Sequence, residues 1–139
     1  MGSIIDQRHD IVKNAVMQRP DAVVEVTILM WERLAVELIS IIGEEGFQSL
    51  YARSCHLNSA IFPWLLLDHS SSSSDSRFVD LQICLENREP AEASEASKAL
   101  FITFVDILAL LISDLLTASI LRSAWIDDTF ELVAKGNTQ

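Results

Sequence analysis

One apolar stretch, residues 99–121 (ALFITFVDILALLISDLLTASIL), constrains the fold more than any other feature of the chain. As an α-helix, its 23 residues would be about 35 Å long, which is enough to cross a bilayer. Asp106 and Asp114 interrupt it, and a carboxylate near the middle of a membrane helix costs at least about 2.5 kcal/mol. No basic clusters flank the segment. We therefore expect no membrane insertion, and predict the long, largely buried helix of a bundle.

The polar residues of this segment fall within one arc of about 100° on a helical wheel. They are Thr103, Asp106, Ser113, Asp114 and Thr117. In a continuous helix, Asp106 and Asp114 would lie about 80° apart and about 12 Å apart along the axis, too far to share a proton. Because buried carboxylates are normally paired, we expect each to contact an arginine of a neighbouring element. The candidates are Arg33, Arg53 and Arg122.

The rest of the chain also repeats its apolar residues every three or four positions, and no alternating run indicates a strand. Pro20, Gly43, Pro63 and Pro90 mark the breaks. The predicted helices cover about residues 3–18, 22–42, 44–62, 77–87, 91–122 and 125–135. We expect a single all-α domain over residues 1–139, a bundle of five to seven helices. The serine-rich stretch 68–76 is predicted to be an exposed loop, and residues 136–139 a tail.

Composition excludes several classes of protein. Half of the 139 residues are apolar, which provides a core, and 20 acidic against 10 basic side chains give a net charge of -10. Nucleic-acid binding needs clustered Lys and Arg, so we expect none. The two cysteines, Cys55 and Cys84, have no spacing typical of zinc or of a disulfide framework. With no secretory signal evident near the N-terminus, we expect reduced thiols and a cytoplasmic location.

The histidines do not predict an enzyme. His9 lies one helical turn from Asp6, but a bundle metal site needs a second such motif, so we expect a solvated turn and no metal. His69 adjoins Asp68 and the serines, and an exposed loop cannot hold the geometry of a catalytic triad. The chain has no nucleophile elbow, phosphate-binding glycine loop or HExxH motif. We predict no catalytic residue and no cofactor.

Two sets of residues remain as candidate ligand sites. Arg53 and His56 lie at i and i+3 on the helix face opposite Phe47, where they could bind a carboxylate or phosphate, or where His56 could accept a phosphoryl group. The sequence after His56 lacks the basic residue usual in phosphotransfer domains. The second set is aromatic and would either pack as core or line a site for an apolar small molecule. It comprises Trp31, Phe47, Phe101 and Phe104.

Two stretches of the chain resemble a small all-helical bacterial domain of uncharacterised function. They are residues 29–65 (LMWERLAVELISIIGEEGFQSLYARSCHLNSAIFPWL) and residues 101–125, the second of which ends in LRSAW. Similar segments occur alone or beside two-component signalling proteins, notably sensor histidine kinases. The resemblance covers over half of the chain. It implies a helical fold and a role in bacterial signalling, and it carries over no functional residue.

Apolar helix surface exceeds what a 139-residue bundle readily buries, and small domains often cover such surface in a subunit interface. We therefore expect a non-enzymatic module for protein interaction or regulation that acts as a homodimer. The alternatives are a bundle that binds an apolar small molecule, and a phosphotransfer or metal-dependent enzyme centred on His56 or His9.

Overall fold

A computed structural model describes residues 4–65 and 78–125. These residues form five α-helices joined by short connections, and no strand occurs among them. The helices are α1 (Ile4–Val16), α2 (Val23–Asn58), α3 (Val79–Glu86), α4 (Pro90–Leu111) and α5 (Asp114–Trp125). Two 3-10 turns, Pro20–Ala22 and Pro63–Leu65, precede and follow α2. The predicted all-α class is confirmed. The predictions for the 68–76 loop, His69, the 125–135 helix beyond Trp125 and the 136–139 tail lie outside the described residues.

Local sequence sets the boundary between α1 and α2. Arg19 precedes a proline and has extended backbone angles (φ −135°, ψ 87°), because the proline ring disfavours the helical region at that position. Pro20 then begins the 3-10 turn, where its missing N–H costs nothing. The predicted break between the first two helices is therefore confirmed.

Gly43 divides α2 into two helical halves. Its backbone angles (φ 85°, ψ 165°) are non-helical and lie in a region that L side chains rarely adopt. The predicted stop at Gly43 is confirmed as a break, but the helix resumes at once and ends at Asn58, earlier than the predicted end near residue 62. The two predicted helices form one kinked element.

The prediction of a single helix over residues 91–122 is wrong. The chain leaves α4 at Leu111 and starts α5 at Asp114, with Ser113 at φ 148° between them. The Leu116 N–H donates a hydrogen bond to Ser113 Oγ at 3.1 Å, the bond that a serine makes when it caps a helix N-terminus. No proline or glycine lies near this break, and the apolar residues keep their helical spacing across it. The sequence pattern therefore predicts a continuous helix.

The core lies between α2 and α4, and α1 and α5 pack against both of these helices. Trp31 of α2 is fully buried and stacks on Phe101 of α4, with ring centroids 4.3 Å apart. Trp125, at the end of α5, donates its indole N–H to the carbonyl of Met30 at 2.9 Å. This hydrogen bond and the aromatic contacts fix α5 against the two central helices.

Candidate functional site

The four aromatic residues predicted to line a ligand site lie together in the core. Phe104 meets the Trp31 ring edge-on at a centroid distance of 5.0 Å, and Phe47 does so at 6.5 Å. None of the four side chains is exposed to solvent, and Tyr51, Phe78 and Trp125 extend the cluster. The rings pack directly against one another, as in a core. Their role in ligand binding stays a prediction.

Two polar atoms inside this cluster, Trp31 Nε1 and Tyr51 Oη, are buried without a strong hydrogen-bond partner, and the polar contact of Tyr51 is the weakly hydrogen-bonding thiol of Cys55. Burial raises the pKa of Tyr51 well above its usual value of 10. Burial also raises the pKa of Cys55, one helical turn from Tyr51, to about 12. The phenol and the thiol are therefore neutral at pH 7, and Cys55 is unsuited to nucleophilic chemistry because the thiolate is the reactive form.

Arg53 and His56 are not brought into the aromatic cluster. Both side chains are exposed on the second half of α2, whereas Phe47 on the same half is fully buried. The structure thus divides the six predicted site residues into a buried aromatic group and an exposed pair. Among residues 4–65 and 78–125, no group of three or more His, Cys, Asp and Glu side chains is placed to hold a metal ion.

A charge cluster that the sequence did not predict joins α1, α4 and α5. Arg8 Nη2 lies 2.9 Å from Asp106 Oδ1, and Arg8 Nη1 lies 2.7 Å from Asp114 Oδ1. His9 Nε2 lies 2.9 and 3.1 Å from the two oxygens of Asp106. The expected pairing of the aspartates with Arg33, Arg53 or Arg122 is therefore wrong, since Arg8 is their partner. The expectation of a solvated turn at His9 is wrong as well.

The helix break explains why one guanidinium reaches both carboxylates. In a straight helix Asp106 and Asp114 would be about 12 Å apart along the axis, whereas the bend at Ser113 turns both toward α1. Arg8 is only 3% exposed, and its two terminal nitrogens each bind one carboxylate. A forked guanidinium suits this bridging role, which a lysine ammonium would fill less well. By pairing with one aspartate on each helix, Arg8 stabilises the bend between α4 and α5. We call this cluster of Arg8, His9, Asp106 and Asp114 the clamp.

The same bend leaves a group of leucines exposed. We call Leu110, Leu111, Leu115 and Leu116 the leucine corner; they flank Ile112 and Ser113 at the end of α4 and the start of α5. Their exposed fractions are 87%, 66%, 72% and 43%. The expected burial of this segment holds for the body of α4 but is wrong at the corner. Exposed apolar groups of this kind mark interaction sites in soluble proteins.

A shallow groove of about 290 Å³ lies between the starts of α2 and α4. Asp21, Glu25 and Glu86 line it together with one cation, Arg88. Arg88 also stacks on the Trp64 ring, 4.9 Å from its centroid. The mixed charges indicate a solvated surface feature, so the leucine corner is the stronger candidate site.

Comparisons of the chain with models of protein families, with curated protein sequences and with solved structures found no match. In the part of the chain that the structure describes, no helix combines the length and apolar character needed to cross a membrane. The fold and the site together define an all-α helical bundle with an apolar corner beside a charge cluster.

Proposed function

We propose that this protein is a non-enzymatic helical module for protein interaction or regulation, and that it acts as a homodimer joined through the leucine corner. The observation that carries the proposal is the exposure of four leucines on one bend of the chain. The resemblance of residues 29–65 and 101–125 supports a role in bacterial signal transduction. The two free cysteines support action in the cytoplasm.

The leucine corner supplies apolar surface for the centre of a dimer interface. Burying one exposed leucine side chain contributes about 1.5–3 kcal/mol. In a two-fold dimer the same patch faces itself, so the leucine corners of both copies are covered together. Eight leucines then contribute on the order of 10 kcal/mol or more, which offsets an association cost of roughly 4–15 kcal/mol.

Light scattering coupled to size exclusion tests the proposal. We expect a dimer at tens of micromolar for the native chain, and a monomer for the double variant Leu110→Gln with Leu115→Gln. Val36→Gln is the matched control, since Val36 is also exposed (71%) but lies on α2, away from the corner in sequence. A strict monomer at high micromolar concentration, or equal dimerisation of the double variant and the native chain, would contradict the proposal.

The alternative function, binding of an apolar small molecule, has one supporting observation. Trp31 Nε1 is a buried donor without a partner, and the Cys55 thiol, a weak hydrogen-bonding group, is the polar contact of the buried Tyr51 hydroxyl, so a ligand with an acceptor could satisfy both groups better. Native mass spectrometry of protein purified without denaturation tests this function. A bound adduct that is present in the native chain and absent from Tyr51→Phe supports ligand binding. A spectrum that shows only the mass of the chain itself contradicts it.

A further inference from the structure

The bend between α4 and α5 opposes the local preference of the sequence. From Ala91 to Trp125 the chain contains no proline or glycine and repeats its apolar residues at helical spacing. Ser113 nevertheless has φ 148°, and it is the sole non-glycine residue with positive φ among those described. Such backbone is strained for a residue with a Cβ and persists where the surroundings impose it.

Tertiary contacts impose the bend. Arg8 binds Asp106 on α4 and Asp114 on α5, and thereby holds the two helices at an angle. On the far end of α5, Trp125 bonds to the Met30 carbonyl and meets Phe101 edge-on at 5.1 Å. The contacts of Asp114 and Trp125 join α5 to other elements through surfaces that an identical α5 from a second copy would fit equally well.

We infer that the homodimer forms by exchange of α5 between two copies, with residues 112–113 as the hinge. In the exchanged state, α4 and α5 of each chain join into one continuous helix, and α5 occupies the partner's α5 site. The contacts of Arg8 with Asp114 and of Trp125 with Met30 then form between chains. Short hinges under strain favour such exchange, because opening the hinge relieves the strain while the other contacts are kept.

Two residues of the leucine corner, Leu111 and Leu115, become part of the interface in this arrangement. On a continuous helix, Leu111 and Leu115 of the corner fall within one arc of about 100° together with Leu108 and Ile112, whereas Leu110 and Leu116 lie outside this arc. The two long helices would cross at the hinges and cover Leu111 and Leu115, which are 66% and 72% exposed in the bent chain, against one another, as in a coiled-coil seam. This inference rests on the proposed homodimer and assigns it a mechanism: one event relieves the strain at Ser113 and buries Leu111 and Leu115.

Two substitutions at the hinge should shift dimerisation in opposite directions. Ser113→Gly accepts φ 148° without strain and weakens a continuous helix, so it should favour the bent monomer. Ser113→Ala removes the Oγ that caps α5 and favours a continuous helix, so it should favour the dimer. Because each dimer contains two hinges, we expect the dissociation constants of these variants to differ by at least about tenfold.

Ser119→Gly and Ser119→Ala are the matched controls. Ser119 is exposed within α5, which is helical in both states, so this pair should differ less than twofold in dissociation constant. Sedimentation measures the constants, and circular dichroism checks that each variant is folded. If the Ser113 pair differs no more than the Ser119 pair, the hinge has no part in dimerisation and the inference is overturned.

A mixed-isotope dimer identifies the exchange directly. Labelled and unlabelled chains are unfolded together, refolded and examined for nuclear Overhauser contacts between Trp125 and Phe101. Contacts between a labelled and an unlabelled chain support exchange. A dimer in which these contacts occur only within one chain overturns the inference and leaves the proposed homodimer intact, whereas monomers for every variant remove both.

Discussion

At the scale of single residues, Arg8 illustrates how one side chain can connect three helices. Its guanidinium is buried and balances Asp106 and Asp114, whose side chains are 41% and 47% exposed. Removing one partner of a buried ion pair leaves charges uncompensated and costs about 3–5 kcal/mol. Because water partly screens both carboxylates, we expect a smaller loss for Arg8→Met, about 1–3 kcal/mol in the free energy of unfolding.

Urea unfolding measures that loss. Lys13→Met is the matched control because Lys13 lies on the same helix with its side chain in solvent, and its removal should change stability by less than about 0.5 kcal/mol. Arg8→Lys should fall between the two, since one ammonium cannot reproduce the fork. Equal stability of Arg8→Met and Lys13→Met would show that the clamp contributes nothing.

The buried thiol of Cys55 predicts how stability depends on alkaline pH. Burial raises its pKa from 9 to about 12, so the unfolded chain releases this proton at a lower pH than the folded chain. The contribution of the neutral Cys55 thiol to the free energy of unfolding is fully present below pH 9. It is lost as the pH rises from 9 toward 12, because the unfolded chain ionises first. The slope is at most about 1.4 kcal/mol per pH unit for this one group.

Urea unfolding at pH 8, 9, 10 and 11 tests the slope. Cys55→Ala should flatten the decline between pH 9 and 10. The control Cys84→Ala should keep most of the decline in stability. Cys84 is less buried than Cys55, and burial therefore raises its pKa less. Tyr51, whose pKa is also raised, adds to the decline only above pH 10. A native chain whose stability is constant from pH 8 to 11 would contradict the prediction.

At the scale of secondary-structure elements, the two glycines of α2 have opposite roles. Gly43 adopts φ 85°, and an added Cβ there would meet no atom within 4 Å, so the cost of Gly43→Ala comes from the backbone. We expect it to destabilise the fold by about 1–2 kcal/mol. Gly46 is helical, and its added Cβ would meet only the Ile42 side chain at 3.3 Å. Gly46→Ala should therefore be close to neutral, because the gain in helix propensity of about 0.5–1 kcal/mol offsets the small shift that Ile42 must make.

Thermal unfolding followed by circular dichroism distinguishes the two substitutions. A fall in melting temperature for Gly43→Ala together with a nearly unchanged value for Gly46→Ala is the expected pair of results. If Gly43→Ala raised the melting temperature instead, the kink in α2 would be a dispensable feature of the helix.

The helices show how far the sequence predicts this fold. Breaks at Pro20 and Gly43 were predictable, because proline and glycine restrict or free the backbone locally. The break at Ser113 was not, because its cause is distant: Arg8, about a hundred residues earlier in the chain, binds both sides of the bend. The sequence also indicated that Asp106 and Asp114 need cationic partners. It could not indicate which arginine binds them, because that depends on how distant helices pack.

At the scale of the whole molecule, the apolar residues fall into two groups with different environments. The aromatic rings around Trp31 fill the centre of the bundle, as their helical spacing suggested. The leucines of the corner have the same helical spacing, yet they lie in solvent because the chain bends there. Hydrophobic periodicity identifies which face of a helix is apolar; whether the same chain covers that face depends on tertiary contacts.

The net charge of -10 predicts how salt affects the proposed homodimer. Two identical acidic chains repel each other, and the repulsion weakens as salt shortens the screening length from about 14 Å near 0.05 M to about 4–5 Å near 0.5 M. Apolar contact between leucine corners does not depend on charge attraction. Raising sodium chloride across this range should therefore strengthen the dimer, with a dissociation constant lower by roughly two- to tenfold.

Sedimentation equilibrium measures the constant, and repetition near the isoelectric point of about 4.5 should remove most of the salt effect. A dimer that weakens with added salt would show that ion pairs across the interface dominate its stability, in conflict with an interface made of leucines.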